Sequence, residues 1–95
     1  MINYTWIAET KEKVKELKNT PVSQLRKTAT VLQMRSDLKM VLSFLDETYA
    51  ESNVWVKSTK KWEESVSELP VIHLRKTDNA LRLRFSLIVA LDFFN

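Results

Sequence analysis

Leu81-Arg82-Leu83-Arg84-Phe85-Ser86-Leu87 alternates strictly between apolar and polar side chains. A period of two is the mark of a strand with one buried face. Val71 to Lys76 reads as its partner, and Asp78-Asn79 as a two-residue turn, since both residues tolerate the left-handed backbone that such turns need. In that register Arg75 opposes Arg82, Leu74 opposes Leu83, His73 opposes Arg84 and Ile72 opposes Phe85. Ile72, Leu74, Leu81, Leu83, Phe85 and Leu87 then share one face, and His73, Arg75, Arg82 and Arg84 the other. A slip of one residue would mix them, so the pattern specifies the pairing. The expected hairpin covers residues 71–76 and 80–89.

Upstream, the period is that of a helix. Residues 5–18 place Ile7, Val14 and Leu17 on one side. Thr20-Pro21 opens the next element, with Thr as cap and Pro at the first helical position. Between residues 21 and 50 the apolar stripe changes phase. Val22, Leu25, Ala29 and Leu32 share one face, while Val31, Met34, Leu38, Val41, Leu42, Leu45 and Tyr49 share another. A break near Arg35-Ser36-Asp37 accommodates this and gives helices over 21–34 and 37–50. A further helix over 54–69 carries Trp55, Trp62, Val66 and Leu69 and ends at Pro70. No internal repeat, linker or low-complexity segment is read. The expected fold is α+β: three to four short helices followed by a C-terminal antiparallel β-hairpin, packed in two layers as one domain over 1–95.

Composition removes many functions. The 95 residues include no Cys, no Gly and one His, His73. Without Cys there is neither a disulfide nor a thiolate metal site. Without Gly there is no phosphate-cradling loop, dinucleotide fingerprint or nucleophile elbow. One His cannot build a zinc site of several histidines. Asn19, Asn53 and Asn79 are expected to supply the left-handed positions that Gly would otherwise fill. Glu47 and Glu51, one turn apart beside Asp46, have no third partner that would make a cation site. The N-terminus shows no apolar run behind a basic start and reads as no secretory signal. Leu87–Leu91, the longest apolar run, is far short of the roughly 20 residues of a membrane span.

What remains is a surface. The net charge is +3, and residues 71–95 hold most of the excess through Arg75, Lys76, Arg82 and Arg84. Like charges opposed across a hairpin repel, and an anion would relieve them. Arg75, Arg82, Arg84, His73 and Lys76 are therefore the candidate binding face, against the plainer reading of a solvated sheet surface. The apolar tail offers Leu91, Phe93 and Phe94 either to the core or to an oligomer contact. Trp55 and Trp62, seven apart, read as core rather than as base-stacking platforms. The leading expectation is a small non-catalytic protein-interaction module or regulator, of the inhibitor, antitoxin or immunity type. It is expected to be cytoplasmic and homo-oligomeric, to bind another protein and not to contact membrane. The alternative is a nucleic-acid binder whose basic hairpin acts like the wing of a winged helix. Continuity of the basic face with helix residues such as Arg26, Lys27 and Arg35 favours the alternative, and an isolated patch beside exposed Leu or Phe favours a protein partner. No metal or cofactor is expected, so EDTA should leave the thermal midpoint unmoved. A fall of several degrees would reveal a structural ion.

Overall fold

The structure is a computed structural model that describes residues 1–49 and 52–95. Its described residues form six helices and no strand. These are α1 (Tyr4–Lys18), α2 (Val22–Leu25), α3 (Thr28–Tyr49), α4 (Val54–Ser67), α5 (Val71–Leu74) and α6 (Thr77–Asp92). The expected α+β fold is thus corrected to an all-helical one.

The hairpin fails for a physical reason. Seven residues of alternation sit inside a longer helical stripe. Ala80, Leu83, Leu87, Ala90 and Leu91 recur at three- and four-residue spacing, and all are buried. Phe85, which a strand would have placed inside, is 63% exposed. Asp78-Asn79, expected as a turn, lies in the first turn of α6. An acidic residue there is favoured by the helix dipole. Val71–Leu74 is one helical turn begun by Pro70, not a strand.

The phase change in residues 21–50 is real, but the break falls earlier than expected. It lies at Arg26–Lys27, and α3 runs through Arg35-Ser36-Asp37 without interruption. Leu25 is buried from the short helix α2, whereas Ala29 is exposed. The first apparent stripe is therefore two unrelated pieces. The expected end of this segment at residue 50 lies outside the described residues.

The chain also contains a repeat. Pro21-Val22-Ser23-Gln24-Leu25-Arg26-Lys27-Thr28 returns as Pro70-Val71-Ile72-His73-Leu74-Arg75-Lys76-Thr77, 49 residues later. The same offset carries Trp6 to Trp55, Thr10 to Thr59, Lys11 to Lys60, Leu32 to Leu81, Arg35 to Arg84, Leu38 to Leu87, Leu42 to Leu91 and Phe44 to Phe93. It also carries α2 onto α5 residue for residue. The backbone agrees: Pro21 and Pro70 have φ/ψ of −60/149° and −59/149°, and Arg26 and Arg75 have −80/0° and −78/−3°.

Contacts repeat too. Trp6 meets Phe44 at 5.8 Å between ring centroids, and Trp55 meets Phe93 at 5.6 Å. Lys11 Nζ donates to Asn95 Oδ1 at 2.7 Å, and Lys60 Nζ to Asp46 Oδ2 at 2.6 Å. Asn95 and Asp46 are themselves 49 apart. The halves are therefore related by a pseudo-twofold. They embrace rather than sit side by side. α3 packs on α6 at the centre, α1 on α6, α4 on α3, α2 on α6 and α5 on α3.

The described turns need no left-handed residue. No described residue has positive φ. Asn53 caps α4 by accepting from the Val56 N–H, and Asn19 ends α1 at φ −104°. Asn79 lies within α6 and donates to the His73 carbonyl. The left-handed role expected of these three is corrected: a Pro-initiated single turn reverses the chain with negative φ throughout.

Two carboxyls sit in this core. Glu63 is 5% exposed, and its Oε2 has no hydrogen-bond partner among the described residues. Its equivalent in the first half is Val14. Burial holds Glu63 above its ordinary pKa; Glu64 adds to the rise, while Lys39 and Arg35 oppose it. Burial likewise raises Asp37, against the hydrogen bond from Gln33 and the charge of Lys13. A raised carboxyl binds its proton more tightly in the folded state. Stability from it is full below the unfolded pKa and is lost as pH rises through the folded one. Glu63→Gln should raise the thermal midpoint at pH 7 and flatten the gain that acidification gives the wild type. An unchanged midpoint and an unchanged pH profile would contradict a buried charge at Glu63.

Candidate nucleic-acid interface

The repeat brings its two Leu-Arg-Lys-Thr segments together on the pseudo-dyad. Arg26 Nε donates to the Arg75 carbonyl at 2.6 Å, and Arg75 Nε returns the bond to the Arg26 carbonyl at 2.8 Å. Each bond involves a charged donor, the stronger kind. Leu25 and Leu74, one residue earlier, are fully buried and anchor the two short helices. The next residues, Lys27 and Lys76, are exposed.

Four cations therefore share one end of the fold. Only Nε of each arginine is engaged, and no Nη group of Arg26 or Arg75 has a hydrogen-bond partner among the described residues. Among those residues, the carboxylates that form ion pairs are Glu47, Glu12 and Asp46, and none of them pairs with these four cations. The N-termini of the two longest-buried helices, α3 at Thr28 and α6 at Thr77, begin beside the cluster. Their dipoles add positive potential. Asp78 in the first turn of α6 is the nearby counter-charge along the chain.

The candidate residues of the expected hairpin face are divided by the helical fold. Arg75 and Lys76 belong to the dyad cluster, and His73 is exposed on α5 just before them. Arg82 leaves the cluster and lies over the Trp62 ring, 4.5 Å from its centroid. Arg84 points the other way. Its Nη1 donates to the carbonyls of Leu17 and Thr20, both at 3.1 Å, and so closes the C-terminal end of α1. Arg26 and Lys27 are the partners that the strand reading did not bring in as site residues. The repeated Leu-Arg-Lys-Thr string was the signal for them.

The tail residues turn inward. Leu91 is buried. Phe93 lies 5.3 Å from the Tyr49 ring and stacks on Trp55, and Phe94 meets Tyr4 edge-on at 6.3 Å. Trp62 is half-buried against the core. Of the carboxylates near the end of α3, Asp46 pairs with Lys60 and Glu47 with the N-terminal amine, while Glu51 lies outside the described residues. No group of metal-ligating side chains is present among the described residues. None of their helices is long and apolar enough to cross a membrane.

Arg84 is thus a structural residue, and its loss should destabilise. Arg84→Ala should cost about 1–3 kcal/mol, the scale of hydrogen bonds from a charged donor. Lys76→Ala, at an exposed position with no such bond, should stay within about 0.5 kcal/mol of wild type. Urea denaturation of the two variants checks this, and equal midpoints would contradict it. No protein-family model, curated protein or solved structure matches the chain.

Proposed function

We propose that the protein is a non-catalytic binder of nucleic acid, gripping the phosphate backbone across its pseudo-dyad through Arg26, Lys27, Arg75 and Lys76. One observation carries this reading: the two arginines lock onto each other's backbone while their Nη forks and both lysines stay open to an outside anion. Repulsion among four gathered cations is a standing cost that phosphate relieves. A dyad-related pair of cation pairs also suits a duplex, whose two strands are themselves related by local twofold axes. Phosphate contacts of this kind position a protein without reading sequence.

A protein partner is the second reading, favoured by Ile72 and Phe85, which are 73% and 63% exposed. With no strand among the described residues, there is no open strand edge there to which a second copy could add.

Fluorescence anisotropy with a labelled duplex decides between the two readings. Four phosphate contacts should give a slope of log K against log salt of about −3.6, from roughly −0.9 per contact. Lys27→Gln with Lys76→Gln should flatten that slope by about two units while leaving the fold intact. No binding at about 50 mM salt would overturn the nucleic-acid reading and leave the protein partner.

A further inference from the structure

The two halves differ in how the space between their long helices is filled. A cavity of about 340 Å³ lies between α1 and α3 of the first half. Val14, Leu17, Ala29 and Met34 contribute apolar wall, Lys13 stands on its rim, and Asp37 lines it from α3. A volume of this size is within the range of small-ligand sites. In the second half the equivalent space has an occupant. The offset of 49 carries Lys13 to Trp62 and Gln33 to Arg82. Trp62 is half-buried against the core between α4 and α6, and the Arg82 guanidinium covers its ring at 4.5 Å. The second half thus plugs with its own indole and cation the place that the first half leaves open.

We propose that the α1–α3 cavity binds a planar aromatic ring of indole size. The frame of helices is the one that accepts Trp62 in the other half. The polar groups also suit such a guest. Asp37 is 6% exposed, and Gln33 Nε2, at 2.8 Å, is its one hydrogen-bond donor among the described side chains. An indole N–H is a donor only, and when buried it seeks an acceptor. Lys13 at the rim supplies a cation over the ring face, the part that Arg82 plays for Trp62. The cavity shares no residue with the dyad cations, so this site stands independently of the nucleic-acid reading.

The ring has two sources, a free aromatic molecule or a tryptophan side chain of a partner chain. An amide NMR titration of the full chain with indole and, separately, with N-acetyl-tryptophanamide tests the site. Saturable shifts are expected at Val14, Ala29 and Gln33. Lys13→Trp, which rebuilds the plug of the second half, should weaken the binding at least about tenfold. Ala29→Trp, which plugs from the opposite wall, should do the same and guards against a misfolded first variant. Equal affinity for the two probes assigns the site to free aromatic molecules. An affinity at least about fivefold higher for the amide assigns it to a partner's tryptophan. Absence of saturable shifts up to the solubility limit of both probes overturns the proposal, as does undiminished binding by both folded plug variants.

Discussion

Neither half of this chain can cover its own long helix, and the rest of the structure follows from that constraint. α3 buries Val31, Met34, Leu38, Val41, Leu42 and Leu45, and α6 buries Ala80, Leu83, Leu87, Ala90 and Leu91. These stripes meet each other, and α1 and α4 each cross to the opposite half to close the flanks. A fully buried aliphatic side chain contributes about 1.5–3 kcal/mol. The central helix pair therefore holds most of what stabilises a chain this small. The short helices α2 and α5 exist to turn the chain back onto that pair, each pinned by a fully buried leucine. The Arg26–Arg75 exchange then closes the seam where the two turns meet.

The pseudo-twofold gives a physical account of the charge distribution. A basic dipeptide that is unremarkable once becomes a four-cation cluster when symmetry brings two copies to one axis. The positions that break the symmetry are equally telling. Val14 corresponds to Glu63, Lys13 to Trp62 and Asp37 to Ser86. The first two put a charged group where the other half has an apolar one, and the third puts a carboxyl where the other half has a hydroxyl. Glu63 and Asp37 both bear a cost in burial, and Asp37 and Lys13 also line the cavity between α1 and α3. A conserved frame with unequal filling lets one fold carry two different surfaces.

Two of the long helices were legible in the residues, but the fold class was not. The helix 4–18 was readable from Ile7, Val14 and Leu17, and the helix 54–67 from Trp55, Trp62 and Val66. The second half misled because Leu81, Leu83, Phe85 and Leu87 fit a period of two while Leu83, Leu87, Ala90 and Leu91 fit a period of 3.6. A seven-residue window cannot separate the two. The longer stripe could have done so, and the repeat would have decided it. Pro-Val-x-x-Leu-Arg-Lys-Thr occurs twice, and its first copy leads into a stretch, Val31 to Leu45, whose helical period is plain. The Arg26–Arg75 contact could not be read without that symmetry, because 49 residues separate its members. The roles of Arg82 and Arg84 were hidden for another reason. A cation over an aromatic ring and a cation closing a helix end look alike in a sequence.

The measurement that bears most directly on this account is a nuclear Overhauser map of the assigned chain. Sequential amide–amide contacts are expected without a gap from Thr77 to Asp92. Contacts between α1 and α6 and between α3 and α4 are expected too, the signature of two halves embracing each other. Extended-type shifts over Leu81–Leu87, with cross-strand α-proton contacts to residues 71–76, would contradict it.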